Sequence, residues 1–168
     1  MVLGTLAAAP GIARAYDEVV TLGFEVGYAA VLTDVDLPRH GPELGVVSSI
    51  GLGDMFSLRG RFAYAVHPGS EALHVGMLGV EVYYLLDIVQ LVPFFGIGLD
   101  AIATLYDGTF GADPAVHAII GLDYLLNRRV ILGIDIRPYW LPLSLNDNGV
   151  DPVYLTINVR VSIRFERY

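Results

Sequence analysis

The feature that most constrains the fold is an alternation of apolar and other residues with a period of two, which runs from Thr21 almost to the end of the chain. A period of two is typical of β-strands, because successive side chains of a strand point to opposite faces of the sheet. The pattern predicts eight strands. Their predicted ranges are 21–32, 44–52, 56–66, 73–86, 91–105, 115–126, 130–140 and 154–165.

Charge is confined to one of the two faces. One face carries no Asp, Glu or Arg, and the other carries acids and arginines in equal number. These are Glu25, Glu81, Asp100, Asp123 and Asp135 with Arg59, Arg61, Arg137, Arg160 and Arg164. Buried charges are tolerated when they are paired and hydrogen-bonded. We therefore predict that these residues form a charge network inside a narrow barrel and that the uncharged face contacts lipid.

Composition agrees with an apolar environment. The chain has 168 residues, of which 54% are hydrophobic and 17% charged, whereas roughly a quarter of residues are charged in soluble domains. The net charge is −8 and every basic residue apart from histidine is arginine, so no polycationic surface is present and nucleic acid is not an expected partner. The chain has no cysteine. We predict an all-β fold, an eight-stranded antiparallel transmembrane β-barrel.

The predicted connections alternate between long and short. Long ones are expected at 33–43, 106–114 and 141–153, a medium one at 67–72, and short ones at 53–55, 87–90 and 127–129. This alternation is typical of outer-membrane barrels with short periplasmic turns and longer extracellular loops. Aromatic residues near strand ends predict interfacial girdles. The predicted girdle residues are Tyr64, Tyr84, Tyr124, Trp140 and Tyr154.

The first fifteen residues have a different character. They are small and apolar, no basic stretch precedes them, and they finish in Ala13-Arg14-Ala15, which fits the pattern before a signal-peptidase cut. The prediction is a signal-peptide remnant at 1–15 followed by a single barrel domain at 16–168.

Two segments resemble a known family. Pro93-Phe94-Phe95-Gly96-Ile97-Gly98 resembles the Pro-aromatic-x-Gly-x-Gly strand of small eight-stranded outer-membrane proteins of the OmpA, OmpX and OmpW type, and 121–140 resembles their Gly-x-acid-Tyr strand, basic turn and following strand. The resemblance implies a monomer in a Gram-negative outer membrane that contacts outer-membrane lipid and lipopolysaccharide and is inserted by the barrel-assembly machinery. Such chains commonly end in an aromatic residue of lipid-facing parity. Here Tyr168 has the parity of Arg164, and Phe165 has the lipid-facing parity.

No catalytic, cofactor or metal site is predicted. None of the histidines has metal-ligand spacing, and His67 and His74 are interpreted as polar residues at strand ends. A hydrolase built from His67, Ser70 and Glu71 is disfavoured, because Ser70 follows a Pro-Gly turn. Residues 146–151 have the composition of a calcium loop but lack the distal Glu and the helices of an EF-hand.

The predicted role is structural or surface-interacting, without catalysis, because an eight-stranded barrel encloses side chains rather than water. One alternative is a narrow channel of the OmpW kind. Its possible lining residues are Val92, Phe94, Ile102, Ile119 and Ile131. The other alternative is a soluble lipocalin-like carrier with its apolar face inside.

The predicted long and medium connections are acidic, with Arg39 as their one arginine. The acids are Asp34, Asp36, Glu43, Glu71, Asp107, Asp113, Asp147 and Asp151. Two interpretations remain open: the carboxylates keep the loops soluble, or they share divalent cations with lipopolysaccharide phosphates, because hard cations favour oxygen ligands.

Overall fold

The computed structural model describes residues 19–32, 37–86, 90–141 and 153–165. They form eight strands: β1 (Val20–Val31), β2 (His40–Leu52), β3 (Phe56–His67), β4 (Leu73–Leu85), β5 (Leu91–Tyr106), β6 (Thr109–Leu125), β7 (Val130–Trp140) and β8 (Val153–Phe165). Each strand pairs antiparallel with its neighbour in sequence, and β8 pairs with β1 to close the barrel. The predicted all-β, eight-stranded antiparallel barrel is confirmed. Among the described residues, no helix is long and apolar enough to cross a bilayer.

The register gives the barrel its tilt. A row of paired residues that starts at Leu22 returns to β1 at Leu32, ten residues further along the strand. The row passes through Ser48, Gly60, Val80, Leu99, Val116, Trp140 and Val153. Strands of such barrels tilt by roughly 35–45° from the axis, and eight of them leave an interior just wide enough for side chains.

The apolar face lies outside. Leu132, Ile134 and Val159 are 38%, 48% and 53% exposed, whereas Asp135 and Arg160 are 1% and 2% exposed. The two kinds of side chain alternate along the same strands, because successive residues point to opposite faces. The soluble-carrier alternative is therefore wrong, since it requires the apolar face inside.

The prediction is wrong at the β5–β6 connection. A long loop was expected at 106–114, but Tyr106 pairs directly with Thr109. Asp107 and Gly108 adopt φ angles of 47° and 69°, and two positive φ angles are typical of the two-residue type I′ turn that Asp-Gly favours. The strands consequently extend beyond their predicted ends, and β6 begins at Thr109 instead of 115.

The barrel has two distinct ends. We call the end at which β2, β4 and β6 connect to β3, β5 and β7 the turn end, and the opposite end, with the connection 107–108, the loop end. The predicted signal remnant at 1–15, the 146–151 segment and Tyr168 lie outside the described residues.

Aromatic side chains mark both ends of the apolar outer wall. Exposed or half-buried rings at the turn end are Phe56, Tyr84 and Tyr124, and those at the loop end are Tyr28, Tyr64 and Trp140. The predicted girdle residue Tyr154 is instead buried in the interior. The prediction was wrong for Tyr154 because this residue has the parity of Thr156 and Arg160, which point inward.

Candidate functional site

The barrel interior holds the acids and arginines that the sequence analysis singled out. Nine of the ten are buried there: Glu25, Arg59, Arg61, Glu81, Asp100, Asp123, Asp135, Arg137 and Arg160. The tenth, Arg164, is partly buried and lines a small cavity at the turn end.

Glu81 lies at the centre of these ion pairs. Its Oε1 accepts from Arg59 Nη1 at 3.0 Å, and its Oε2 lies 3.3 Å from Arg137 Nε. Arg137 also donates to Asp135 two residues earlier on β7. Each of these side chains is at most 1% exposed. Low local dielectric strengthens such contacts and makes an unpaired member costly.

A second group surrounds Arg61. Its guanidinium donates to both Glu25 and Glu43, and its Nη1 donates to the hydroxyl of Tyr139 at 3.0 Å. Arg137 Nη2 lies 3.6 Å from Glu25 Oε2 and so joins this group to the first. The network thus crosses the lumen between strands that are not neighbours.

Towards the turn end, arginines also lie against aromatic rings. The Arg59 guanidinium carbon is 4.4 Å from the centre of the Tyr83 ring, and that of Arg160 is 5.7 Å from the Phe94 ring. Arg160 donates to Asp123. Desolvated cation–π contacts of this kind are attractive, so the arginines fill the lumen as well as neutralise it.

Two members of the network were not predicted. His117 lies with Nδ1 2.5 Å from Asp100 Oδ2 and Nε2 3.1 Å from Glu81 Oε2. Glu43 was placed in a loop, but β2 begins at His40 and the Glu43 side chain is 1% exposed inside the barrel. The inward parity of His117 on β6 was a usable signal, whereas Glu43 depended on the start of β2.

His67 is the last residue of β3, as its interpretation as a polar residue at a strand end implied, but its side chain points inward. It is fully buried, and its Nε2 lies 2.9 Å from the hydroxyl of the equally inward Tyr154. Ser70 and Glu71 are exposed in the β3–β4 connection, so the structure does not assemble a triad from these residues. Among the described residues, no group of three or more His, Cys, Asp or Glu side chains is arranged to hold a metal ion.

Apolar side chains lie on both sides of the network. Towards the loop end they are Ala29, Val31, Ala63, Ala65, Leu73, Val75, Met77, Ile102, Ala115, Tyr139, Leu141 and Tyr154. Towards the turn end they are Tyr83, Leu85, Val92, Phe94 and Ile119.

A cavity of about 40 Å³ at the turn end is lined in part by Arg160, Ser162 and Arg164. It has room for a few water molecules.

Comparison with known proteins supports the fold. No family model and no curated protein matches this sequence. Among solved structures, the Neisserial surface protein A NspA superposes with a TM-score of 0.73 at 12% identity, covering 87% of this chain and 97% of NspA. Ail, the attachment invasion locus protein of Yersinia pestis, gives 0.61 at 10% identity over 89% and 99% of the two chains. The outer membrane protein OprG of Pseudomonas aeruginosa gives 0.58 at 12% identity over 92% and 98%. These neighbours are small eight-stranded outer-membrane barrels of Gram-negative bacteria. The protein described here has their fold, as the sequence resemblance implied.

Proposed function

We propose that this protein is a monomeric outer-membrane barrel of a Gram-negative bacterium, with a closed interior and no catalytic activity, which acts as a structural or surface-interacting protein through its loop end. The observation that carries the proposal is the buried charge network between two apolar clusters.

This arrangement argues against a conducting lumen. An ion moving through the barrel would have to separate buried pairs such as Arg59–Glu81 and then pass apolar side chains such as Met77 and Ile102. Moving an unpaired ion into such surroundings costs several kcal/mol. Four of the proposed channel-lining residues, Val92, Phe94, Ile102 and Ile119, are among the buried packing residues. The narrow-channel alternative therefore requires rearrangement of the interior.

The outer wall supports insertion in a membrane. It is apolar between the two sets of aromatic residues, and it includes Leu22, Phe24, Val46, Leu78 and Ile97, each about half exposed or more. In water, so large a continuous apolar surface would drive aggregation. We infer that outer-membrane lipid and lipopolysaccharide cover it, and that the barrel-assembly machinery inserts the chain.

The loop end supports a surface role with a particular charge preference. Ail was crystallised with the heparin analogue sucrose octasulfate, a polyanion. The connections at the loop end of this chain carry Arg39 as their one basic residue. Their acids are Asp34, Asp36, Glu71, Asp107, Asp147 and Asp151. Electrostatic complementarity favours a cationic partner surface, or divalent cations that bridge the carboxylates to phosphate groups.

Conductance in planar bilayers tests the closed interior. We expect no stepwise conductance from the wild-type protein once heat-modifiable gel mobility has shown that it is folded. Discrete conductance steps from the wild-type protein would contradict the closed interior and favour the narrow channel.

Adhesion tests the surface role. Cells that display the protein should adhere better to a polylysine-coated surface than to a heparin-coated one. The variant Glu71→Gln/Asp107→Asn removes two exposed charges at the loop end and should reduce this preference. Equal adhesion to both surfaces would contradict the proposed charge preference.

A further inference from the structure

Two tyrosine–histidine pairs stand on the outer wall near the loop end. The hydroxyl of Tyr28 lies 2.5 Å from Nδ1 of His40, and the hydroxyl of Tyr64 lies 2.6 Å from Nδ1 of His74. Within each pair the rings are stacked, with interplanar angles of 18° and 27°. The two tyrosines are 46% and 44% exposed. These pairs are not part of the interior network.

Both pairs are built in the same way. His40 on β2 is opposite Ala30, and Tyr28 comes two residues before Ala30 on β1. His74 on β4 is opposite Val66 of β3, and Tyr64 comes two residues before Val66. The diagonal contact between neighbouring strands is within reach of aromatic side chains.

The two histidines lie at nearly the same height on the barrel. Glu43 pairs with Ala65, which pairs with Val75, so one row of pairs passes three residues from His40 and one residue from His74. His40 is thus two residues further from this row than His74. The tilt accounts for this difference, because the row of pairs advances ten residues along the strands over eight strands, which is about two and a half residues between β2 and β4. The two histidines therefore lie side by side on the outer wall, with β3 between them.

Nothing else on that wall is basic. At the outward-facing positions of the described strands there is no Asp, Glu or Arg, and His40 and His74 are the two basic side chains. Both lie further towards the loop end than their tyrosines. Tyrosine rings at a membrane interface sit at head-group level, so the imidazoles are placed among lipid head groups.

The tyrosines also determine which nitrogen of each imidazole carries the proton. When the tyrosine hydroxyl donates to Nδ1, the ring proton remains on Nε2, which becomes a hydrogen-bond donor. Nε2 keeps this proton when the ring is positively charged. A phosphate oxygen is a strong acceptor for such a donor. The two nearest exposed formal charges in sequence, Arg39 and Glu71, have opposite signs, so together they add no net charge beside the two imidazoles.

The spacing indicates what kind of head group fits. His40 and His74 are on β2 and β4, two strand spacings apart, which corresponds to roughly 10 Å across the sheet. A single phosphate group cannot span that distance, whereas a head group with two phosphates can. We propose that His40 and His74 form a two-point binding site for a membrane lipid whose head group carries two phosphate groups. This site requires the membrane insertion proposed above.

Binding of defined lipids to the detergent-solubilised barrel tests the site. The probes are lipid A with two phosphates, lipid A with one phosphate, and cardiolipin, and native mass spectrometry measures the bound fraction. We expect the wild-type protein to bind diphosphorylated lipid A about tenfold more tightly than the monophosphorylated form, since one charge-assisted hydrogen bond is lost. His40→Phe/His74→Phe should bind both forms equally, and Tyr28→Phe/Tyr64→Phe should lose part of the preference.

Matched controls separate this site from general membrane contact. Tyr124→Phe removes an outward hydroxyl at the turn end and should leave the preference unchanged. Binding of cardiolipin as tight as that of diphosphorylated lipid A would support recognition of two phosphates from either lipid, and tighter binding of lipid A would assign the site to lipopolysaccharide. Equal binding of the two lipid A forms by the wild-type protein, or an unchanged preference in the double histidine variant, would overturn the site. A protein that alkaline carbonate removes from vesicles would instead contradict the proposed membrane insertion itself.

Discussion

His117 on β6 lies diagonally across from Asp100 on β5, with its Nδ1 2.5 Å from Oδ2 of Asp100. Gly98 stands opposite His117, and a methyl group at Gly98 would overlap the imidazole ring. Among the described residues, six carboxylates and four arginines are buried in the interior. These are Glu25, Glu43, Glu81, Asp100, Asp123 and Asp135 with Arg59, Arg61, Arg137 and Arg160. His117, held between two of the carboxylates, is a side chain that can supply a further positive charge.

Replacement of His117 by leucine should therefore destabilise the barrel. His117→Leu leaves the buried Asp100 carboxylate without its imidazole partner, and removal of one member of a buried pair costs about 3–5 kcal/mol. Urea unfolding in detergent micelles, followed by the fluorescence of the single tryptophan Trp140, measures the free energy of unfolding. His117→Leu/Asp100→Leu should cost less than the sum of the two single changes, and His74→Leu on the outer wall should change stability by about 0.5 kcal/mol or less. Strict additivity would contradict the pairing.

Replacement of Arg137 by alanine should have a comparable effect. The Arg137 guanidinium contacts Glu81, Asp135 and Glu25, so Arg137→Ala leaves buried carboxylates without a counter-ion and should cost about 3–5 kcal/mol. Arg128, exposed in the turn before β7, is a matched control, and Arg128→Ala should stay within about 0.5 kcal/mol of the wild type. An unchanged unfolding midpoint for Arg137→Ala would show that water solvates these charges and that the lumen is open.

Parity along each strand was enough to predict which side chains point inward. Asp135 and Arg137 alternate with Ile134 and Ile136 on β7, and a strand with this pattern has one orientation that keeps its charges off the apolar face of the sheet. The strand number and closure followed from the same pattern.

The parity of the residues could not predict which interior side chains contact one another. Arg61 and Glu25 are 36 residues apart, and their contact depends on register and tilt, which are properties of the whole closed sheet. The strand ends were also uncertain, because residues such as Glu43 and Tyr106 lie close to a connection, where the alternation of polar and apolar residues is less strict. The Asp107-Gly108 turn was a local signal for a hairpin, but it lay inside a segment that had been interpreted as a loop.

Two glycines on the barrel wall should respond differently to the same substitution. A Cβ atom at Gly96 would overlap the carbonyl oxygen of Val82 and come within 2.6 Å of Tyr83 Cα. Both are backbone atoms of the neighbouring strand, so Gly96→Ala must push the strands apart and should cost about 1–3 kcal/mol. A Cβ atom at Gly60 meets nothing within 4 Å, so Gly60→Ala should be neutral, or stabilising by up to about 1 kcal/mol through the unfolded state. Equal unfolding free energies for the two variants would contradict the packing described for β4 and β5.

An arginine scan of the outer wall tests whether lipid covers it. Val159 lies midway along β8 and is 53% exposed, and Val20 lies at the start of β1 near the turn end and is 36% exposed. In a bilayer, an outward arginine costs about 2–4 kcal/mol at the midplane and about 0–1 kcal/mol near the interface. Val159→Arg should therefore destabilise the barrel in phospholipid vesicles much more than Val20→Arg. In a barrel surrounded by water the more exposed position would tolerate arginine at least as well, because a charged side chain there stays hydrated. The order of the two unfolding free energies thus distinguishes a wall that faces lipid from one that faces solvent, and an inverted order would contradict membrane insertion.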